Sequence, residues 1–220
     1  MTTGGARFFE AIAGRYDRAY GLPATDSRRR MERVLARLPP PPASVLDLGV
    51  GTGRELASLL DAGYAPTGLD ASPAMLERCA RRARPVPVVL ADFWEPLPFG
   101  DGSFDAAVAL HGTLAHPPDA GALARLGGEL GRVVRAGGLL VAEVPSPAWL
   151  DRLETSPAKD DLRARRTGPR TCVLEDLVVG AWIEARVLDD REWRSALGPR
   201  WTADVHAVDE GEWLVVCVRA

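Results

Sequence analysis

A glycine-rich turn followed by an acidic residue is the part of this sequence best suited to chemistry. Residues 45–53 read Val-Leu-Asp-Leu-Gly-Val-Gly-Thr-Gly, and Asp70 ends the next apolar run. Glycines between a strand and a helix let a ligand approach the backbone closely, and the helix N-terminus offers free N–H groups to a carboxylate or phosphate. An acid at the tip of the neighbouring strand can accept hydrogen bonds from ribose hydroxyls. The pattern therefore predicts a site for an adenosine-type cofactor.

The spacing of the glycines bears on which cofactor this is. A dinucleotide-binding turn has the pattern G-x-G-x-x-G. Here Gly49, Gly51 and Gly53 alternate with other residues, Arg54 stands where the third glycine of that pattern would be, and Asp47 precedes the turn. This segment resembles the first motif of the class I (Rossmann-like) S-adenosylmethionine-dependent methyltransferases, which is close to V-L-D-x-G-x-G-x-G. The resemblance implies that the loop holds the methionyl end of S-adenosylmethionine.

Three further segments, in the same order as in that family, extend the resemblance over about residues 8–144. Residues 12–17 are similar to its I-A-x-x-Y-D segment, whose tyrosine closes over the cofactor. The Asp-Phe pair after the third predicted strand resembles the acid and apolar residue that hold adenine. Residues 129–138 resemble its E-x-x-R-V-L-R-P-G-G turn. The resemblance implies that the cofactor-binding residues are Tyr16, Asp47, Gly49, Gly51, Gly53, Asp70, Ala71, Asp92, Phe93 and Leu110.

Methyl transfer from a sulfonium needs alignment more than activation, and positioning can lower a barrier by roughly 7–11 kcal/mol. A general base is needed only for a hydroxyl, a carbon acid or a protonated amine. His111 and His116 are the candidates for a catalytic base. They follow a strand that is predicted to end near Leu110, and ligands of open α/β sheets bind at the carboxyl ends of strands. The alternative for His111 is that it forms part of the cofactor wall without catalysing a step.

The predicted function is transfer of a methyl group to a small-molecule acceptor, with an oxygen nucleophile favoured over nitrogen or carbon. Two alternatives stay open. An NAD-dependent oxidoreductase could also use Asp70 for a ribose, although Arg54 and the Asp92-Phe93 pair count against it. A non-catalytic S-adenosylmethionine-binding partner or sensor protein would carry the same motifs.

Composition limits the partners and the location that we expect. The 220 residues carry a formal net charge of −3, which argues against nonspecific nucleic-acid binding. No apolar run approaches a membrane span, and the N-terminus has no signal-peptide core, so we expect a cytoplasmic protein without a membrane partner. The three cysteines are scattered, and no metal-ligand spacing is present, so no metal is expected. Whether the chain is a monomer or a homodimer stays open.

Alternating strand and helix patterns predict an α/β fold with a doubly wound sheet. The family resemblance implies one domain with a seven-stranded, mostly parallel sheet and a reversed C-terminal hairpin. Expected strands are residues 44–48, 66–70, 86–91, 105–110, 139–144, 201–208 and 213–219, and expected core helices are 53–62, 72–84 and 119–135.

The chain is expected to divide into three parts. Residues 1–42 would form an N-terminal helical lid, 43–144 the cofactor-binding core, and 145–220 a substrate-region insertion followed by the last strands. The charged segment 151–171 is expected to be a surface insertion or mobile loop, and a short helix is expected at 174–180.

Two sets of side chains outside the motifs have structural interpretations. Arg28-Arg29-Arg30 reads as the exposed face of a helix, and Trp193 and Trp201 read as packing residues.

Overall fold

Ten strands form two sheets in the computed structural model, which describes residues 4–21, 24–82, 85–153, 161–208 and 211–220. Seven of the strands make one large sheet, and three make a smaller accessory sheet. In chain order the strands are β1 (Ser44–Leu48), β2 (Ala65–Asp70), β3 (Val88–Leu90), β4 (Phe104–Ala109), β5 (Val134–Pro145), β6 (Leu162–Gly168), β7 (Thr171–Asp176), β8 (Ala181–Arg186), β9 (Trp201–Ala207) and β10 (Glu212–Arg219).

Helices flank the large sheet and cover one end of it. In chain order they are α1 (Gly4–Ile12), α2 (Tyr16–Tyr20), α3 (Ala24–Leu35), α4 (Leu56–Asp61), α5 (Pro73–Arg82), α6 (Ala122–Val133), α7 (Pro147–Arg152) and α8 (Asp190–Ala196).

The large sheet has the strand order β3-β2-β1-β4-β5-β10-β9. Strands β1 to β5 pair in parallel, whereas β10 runs antiparallel to both β5 and β9. The predicted α/β fold with a mostly parallel seven-stranded sheet and a reversed C-terminal hairpin is therefore confirmed. Strands β1 and β4 are almost entirely buried, because helices cover both faces of a doubly wound sheet. The end of the helix expected at 72–84, and the connection between the expected strands 201–208 and 213–219, include residues outside the described ranges.

Both tryptophans that the sequence assigned to packing lie in the core. Trp193 is 3% exposed and Trp201 is 5% exposed. The indole Nε1 of Trp201 donates to the carbonyl oxygen of Gly127 at 2.8 Å, which satisfies its buried N–H and fixes α6 against β9. The packing interpretation is confirmed for both residues.

The accessory sheet corrects two expectations. The second half of the segment expected to be a mobile loop forms β6, and the residues expected to form a helix at 174–180 form the end of β7 and a turn. The many charged residues suggested a solvated loop. In the structure Arg163 and Arg165 alternate with half-buried residues, so one face of β6 is solvated while the other packs inward. Residues 154–160 of that segment lie outside the described residues.

Within the described ranges, no helix combines the length and the apolar character that crossing a bilayer requires.

The close approach of α6 to the residues after α8 generates a stability prediction. A Cβ at position 127 would lie 2.0 Å from the carbonyl oxygen of Leu197, whereas a Cβ at position 128 would meet nothing within 4 Å. Gly127→Ala is expected to lower the free energy of unfolding by about 1–3 kcal/mol or more through overpacking. Gly128→Ala is the matched control and is expected to raise it by about 0.5–1 kcal/mol, because alanine is the better helix former. Urea unfolding of both variants measures this, and equal shifts would contradict the packing described.

Candidate functional site

The glycine turn between β1 and α4 leaves open space above its backbone. Gly49, Gly51 and Gly53 all have positive φ, at 66°, 54° and 73°. A Cβ on Gly51 would meet only the carbonyl oxygen of Gly49, 3.8 Å away, so a ligand can lie close to the backbone there. A Cβ on Gly53 would instead lie 2.5 Å from Sγ of Cys79. Gly53 therefore serves the packing of the turn against α5, and Gly49 approaches the Thr113 side chain, since a Cβ at position 49 would lie 2.7 Å from its Cγ2. Gly51 faces the open side.

Asp70, at the end of β2, holds this turn in place. Its Oδ2 accepts a hydrogen bond from the Gly51 N–H at 2.8 Å, and its Oδ1 accepts one from the Ser72 N–H at 2.9 Å. The side chain is 9% exposed, and burial raises the pKa of Asp70 even though these backbone N–H groups act in the opposite direction. Each carboxylate oxygen keeps a second lone pair, so it can also accept from a ligand hydroxyl.

An enclosed space, called here the inner cavity, lies at the carboxyl ends of β1, β2 and β4. It brings together most of the residues that the sequence predicted for the cofactor, and both candidate histidines. The inner cavity is lined by Gly5, Ala6, Phe9, Tyr16, Gly49, Gly51, Asp70, Ala71, Met75, Asp92, Phe93, Trp94, His111, Thr113 and His116.

Three predicted residues lie elsewhere. Asp47 and Leu110 line a small adjoining cavity beneath the turn, together with Glu55 and His111. Gly53 lines neither cavity among those described here.

Asp92 presents an unused acceptor at the inner cavity. Its Oδ1 accepts from the Trp94 N–H at 3.1 Å. Its Oδ2 is buried and has no hydrogen-bond partner among the described residues. An unsatisfied buried oxygen is costly, so a ligand N–H donor placed there would gain a strong interaction. The ring of Phe93, also in the cavity wall, gives a planar group a surface to lie against.

Acidic groups dominate the electrostatics beneath the turn. Asp47 is 3% exposed, and burial raises its pKa well above the usual value, with Glu55 and Asp70 adding to the effect. For Glu55, burial raises the pKa, but the hydrogen bond with His111 and the attraction of Arg54 outweigh it and lower the pKa overall. A positively charged ligand group would relieve this concentration of buried acids. No group of three or more His, Cys, Asp or Glu side chains in the described ranges is arranged to hold a metal ion.

A second space, called here the outer cavity, adjoins the first. Its volume of ≈ 420 Å³ falls within the roughly 300–1,000 Å³ of ordinary small-molecule pockets. Tyr16, His111 and His116 line both cavities and therefore stand at the junction. The other walls are Tyr20, Arg30, Arg54, Gly112, Ala115, Val144, Pro145, Trp149, Arg152, Leu174, Ala185, Gly211 and Glu212.

His111 is fixed at this junction by both of its ring nitrogens. Nδ1 faces Nη1 of Arg30, so it must accept, and Nε2 therefore donates to the carboxylate of Glu55. The backbone of His111 has φ of 56°, a conformation uncommon for a residue other than glycine, and its N–H donates to Oε2 of Glu143 at 3.1 Å. These contacts leave no free lone pair on the His111 ring in this structure.

Arg30 is a site residue that sequence analysis missed. The expectation that it lies on an exposed helix face is wrong: its side chain is 16% exposed, and it forms ion pairs with Glu143 at 2.9 Å and Glu212 at 2.5 Å. Burial lowers its pKa, but these two carboxylates raise it overall. The helical spacing between Arg30 and the buried Val34 was the available indication that this arginine faces inward.

His116 has a different hydrogen-bond pattern. Its Nδ1 donates to the carbonyl oxygen of Glu184 on β8 at 2.8 Å, which leaves Nε2 as the acceptor nitrogen. Burial lowers the pKa of His116, and the Glu184 carbonyl only partly offsets this effect. The ring of Phe9 from α1 packs edge-on against it at a centroid distance of 5.9 Å. His116 is thus a neutral imidazole near pH 7 with an available lone pair.

The part of the chain that builds most of the inner cavity is similar to known proteins. Residues 45–138 match a family model described as a methyltransferase domain. A demethylmenaquinone methyltransferase from Beutenbergia cavernae is 35% identical over 150 residues, which is 66% of this chain and 59% of that protein. A putative 23S rRNA (guanine-N(1)-)-methyltransferase from Micromonospora griseorubida is 37% identical over 128 residues, 54% of this chain and 40% of that protein. The chain therefore spans about half of the length of these relatives.

A solved structure shares the fold over nearly the whole chain. The CcbJ methyltransferase from Streptomyces caelestis superimposes with a TM-score of 0.74 at 20% identity, covering 97% of this chain and 98% of that one. The likeness in fold therefore extends beyond residues 45–138.

The burial of Glu143 beside Arg30 generates a prediction about stability and pH. Glu143 is 3% exposed, and burial raises its pKa while Arg30 lowers it. Arg30→Met removes the compensating cation and is expected to lower the free energy of unfolding by roughly 3 kcal/mol near neutral pH. Without Arg30 the pKa of Glu143 rises further. The loss in free energy of unfolding, relative to the unaltered protein, should therefore grow as the pH rises from acid to neutral, because the buried carboxyl must then ionise without a cation beside it.

Denaturant unfolding at several pH values measures this effect. Arg29→Met is the control, because Arg29 is exposed on the same helix, and it should change stability little at any pH. A deficit in Arg30→Met that is independent of pH would contradict the pairing with Glu143.

Proposed function

We propose that this chain, which belongs to the class I S-adenosylmethionine-dependent methyltransferases, transfers the methyl group of S-adenosylmethionine to a small-molecule acceptor held in the outer cavity. The observation that carries the proposal is the buried, unpartnered Oδ2 of Asp92, which shares the wall of the inner cavity with Asp70 and the open glycine turn. One acceptor for an adenine amine and one for ribose hydroxyls thus line the same cavity.

The residues present fit S-adenosylmethionine along its length. Asp92 and Phe93 would hold the adenine, and Asp70 with Ala71 the ribose. The open backbone at Gly51, above the buried acids, would hold the charged methionyl end. When bound, the cofactor supplies a methyl group that is already electrophilic because it is attached to a sulfonium.

The chain's own residues then align the reactants and exclude water. Tyr16 and the two histidines separate the inner from the outer cavity, so an acceptor in the outer cavity would approach the cofactor between them. Tyr16 stacks on Tyr20 with ring centroids 5.2 Å apart, and burial raises the pKa of Tyr16, so the phenol stays neutral. Aromatic faces next to a sulfonium add roughly 0.5–2 kcal/mol of attraction each.

His116 is the proposed general base of the site. Its Nε2 is an acceptor, its lowered pKa keeps it neutral, and it lines both cavities. His111, which follows β4 more directly, is the other candidate. Because both of its ring nitrogens are engaged, we propose that His111 is a wall residue that fixes the junction.

A small molecule is the proposed class of acceptor. The outer cavity is concave and has the volume of a small-molecule pocket, and the chain's net charge is −3, which disfavours a polyanion. The relative from Beutenbergia is named for a small-molecule acceptor and the one from Micromonospora for ribosomal RNA. A neutral base at the junction favours an acceptor that must lose a proton, such as a hydroxyl, over an amine that is already unprotonated.

The role of Asp92 can be tested by binding alone. In Asp92→Asn, the amide oxygen would be needed by the Trp94 N–H, which turns the amide NH₂ towards the ligand's amine. Affinity for S-adenosylhomocysteine is expected to fall by roughly 10- to 100-fold, as for an unpaired buried donor. Calorimetric titration measures it. Asp101→Asn is the control, because that carboxylate is 83% exposed on a turn, and it should bind like the unaltered protein. Equal affinities for both variants would contradict the adenine assignment.

The role of His116 can be tested by the pH dependence of turnover. With an acceptor identified by screening for transfer of a labelled methyl group, kcat/KM should rise with pH and level off below the usual histidine pKa of about 6.5. His116→Asn keeps a donor for the Glu184 carbonyl but removes the base. It should lower kcat/KM by about 10²–10⁴-fold and abolish the acidic limb of the profile.

Two histidine variants control this experiment. His206→Asn alters a residue on β9 that contacts Asp204 and should leave the profile unchanged. His111→Asn places a residue that tolerates positive φ at the junction and should retain the acidic limb. Loss of that limb in His111→Asn and its retention in His116→Asn would reverse the assignment.

A further inference from the structure

Helices α1 and α2, with the turn between them, form a lid over the inner cavity; the lid is defined here as residues 4–20. It contributes Phe9 and Tyr16 to the cavity wall. Polar contacts attach it to the core: the Glu10 carboxylate accepts from the Ala74 N–H at 3.1 Å, and Asp17 accepts from the Thr52 hydroxyl at 2.7 Å. These contacts reach the glycine turn and the start of α5, on the cofactor side of the site.

A buried ion pair attaches the lid to the accessory sheet as well. Arg15, between α1 and α2, pairs with Asp176 at the end of β7, and the two side chains are 8% and 0% exposed. The same guanidinium also contacts Asp161, whose side chain is half-exposed. Oδ1 of Asp176 in turn accepts from the N–H groups of Val178 and Val179, so the acid is fixed by its own turn.

Burying such a pair is costly, so its presence points to a role in positioning. Taking both charges out of water offsets much of their attraction, and apolar residues of similar size often stabilise a fold as well or better. Arg15 immediately precedes Tyr16, the residue that lines both cavities. The pair therefore fixes the segment of the lid that carries Tyr16 to the junction.

The accessory sheet is also the structure that shapes the acceptor side. Leu174 on β7 and Ala185 on β8 line the outer cavity, and the carbonyl oxygen of Glu184 orients His116. One three-stranded sheet thus carries part of the acceptor wall, the hydrogen bond to the proposed base and the buried partner of the lid.

The lid must move for a cofactor to enter or leave. The inner cavity encloses only ≈ 70 Å³, well below the roughly 300–1,000 Å³ of ordinary ligand pockets. Displacing the lid separates Tyr16 from the cavity and strains the neighbouring Arg15–Asp176 pair. Breaking it leaves Asp176 buried without its cation, so the pair opposes opening.

We infer that Arg15 and Asp176 are positioning residues for methyl transfer: their ion pair ties the lid to the accessory sheet, holds Tyr16 at the junction and retains the cofactor while the acceptor is bound. The inference rests on the proposed function for the identity of the cofactor. The ion pair thereby couples the two cavities, because the accessory sheet that lines the acceptor side also controls closure of the lid over the cofactor.

The test compares Asp176→Asn and the double variant Arg15→Met/Asp176→Asn with the unaltered protein. Stopped-flow tryptophan fluorescence, to which Trp94 in the wall of the inner cavity contributes, reports dissociation of S-adenosylhomocysteine. Both variants should release it at least roughly tenfold faster. The double variant removes both charges and retains their bulk, so it keeps the fold even if the single one unfolds. Glu175→Gln is the matched control, since Glu175 neighbours Asp176 but pairs with exposed Arg163, and it should release the ligand at the normal rate.

Amide hydrogen exchange in the ligand-free proteins separates this inference from the proposed function. The lid amides should exchange faster in the double variant, with no change in β4 and none anywhere in Glu175→Gln. A folded double variant with unchanged dissociation and unchanged lid exchange would overturn the inference, and acceleration throughout the protein would show a merely structural pair. If the unaltered protein binds no S-adenosylhomocysteine, the proposed function fails, and faster lid exchange alone would still support the ion pair as the lid's attachment.

Discussion

The two backbone hydrogen bonds accepted by Asp70 are the interaction on which the rest of the site depends. They join the glycine turn after β1 to the start of α5, so one buried carboxylate sets the position of both sides of the inner cavity. Ser72, which donates one of them, also donates its hydroxyl to Glu10 of the lid. The placement of the lid therefore follows from the same carboxylate that is proposed to hold the ribose.

Charge pairing governs the boundary between the two cavities. Arg30 stands between Glu143 and Glu212 and at the same time occupies Nδ1 of His111. Because buried charges need partners, this arrangement holds His111 in one orientation, whereas Nε2 of His116 stays available as an acceptor. Under the proposed function, positioning and proton transfer would thus fall to two different histidines.

The sequence predicted the elements whose information is local. The apolar runs and glycine turn define β1, β2 and the loop between them within a residue or so, because periodicity and turn chemistry act over short distances. The accessory sheet was not predicted, because the charged residues of β6 made the segment look like a solvated loop and gave no sign that it pairs with β7. Arg15 and Asp176 were missed because they lie far apart in the chain, and neither belongs to a recognisable motif. Only the folded chain shows that such residues meet.

Parallel calorimetric titrations of the purified protein with S-adenosylhomocysteine and with NAD test the central claim most directly. Both ligands carry an adenosine that Asp70 and Asp92 could hold, but only the first has a methionyl-type end that matches the open turn above Asp47. The account predicts micromolar binding of S-adenosylhomocysteine and none of NAD. Binding of NAD alone would contradict it and would make a nicotinamide-dependent oxidoreductase the better interpretation of the site.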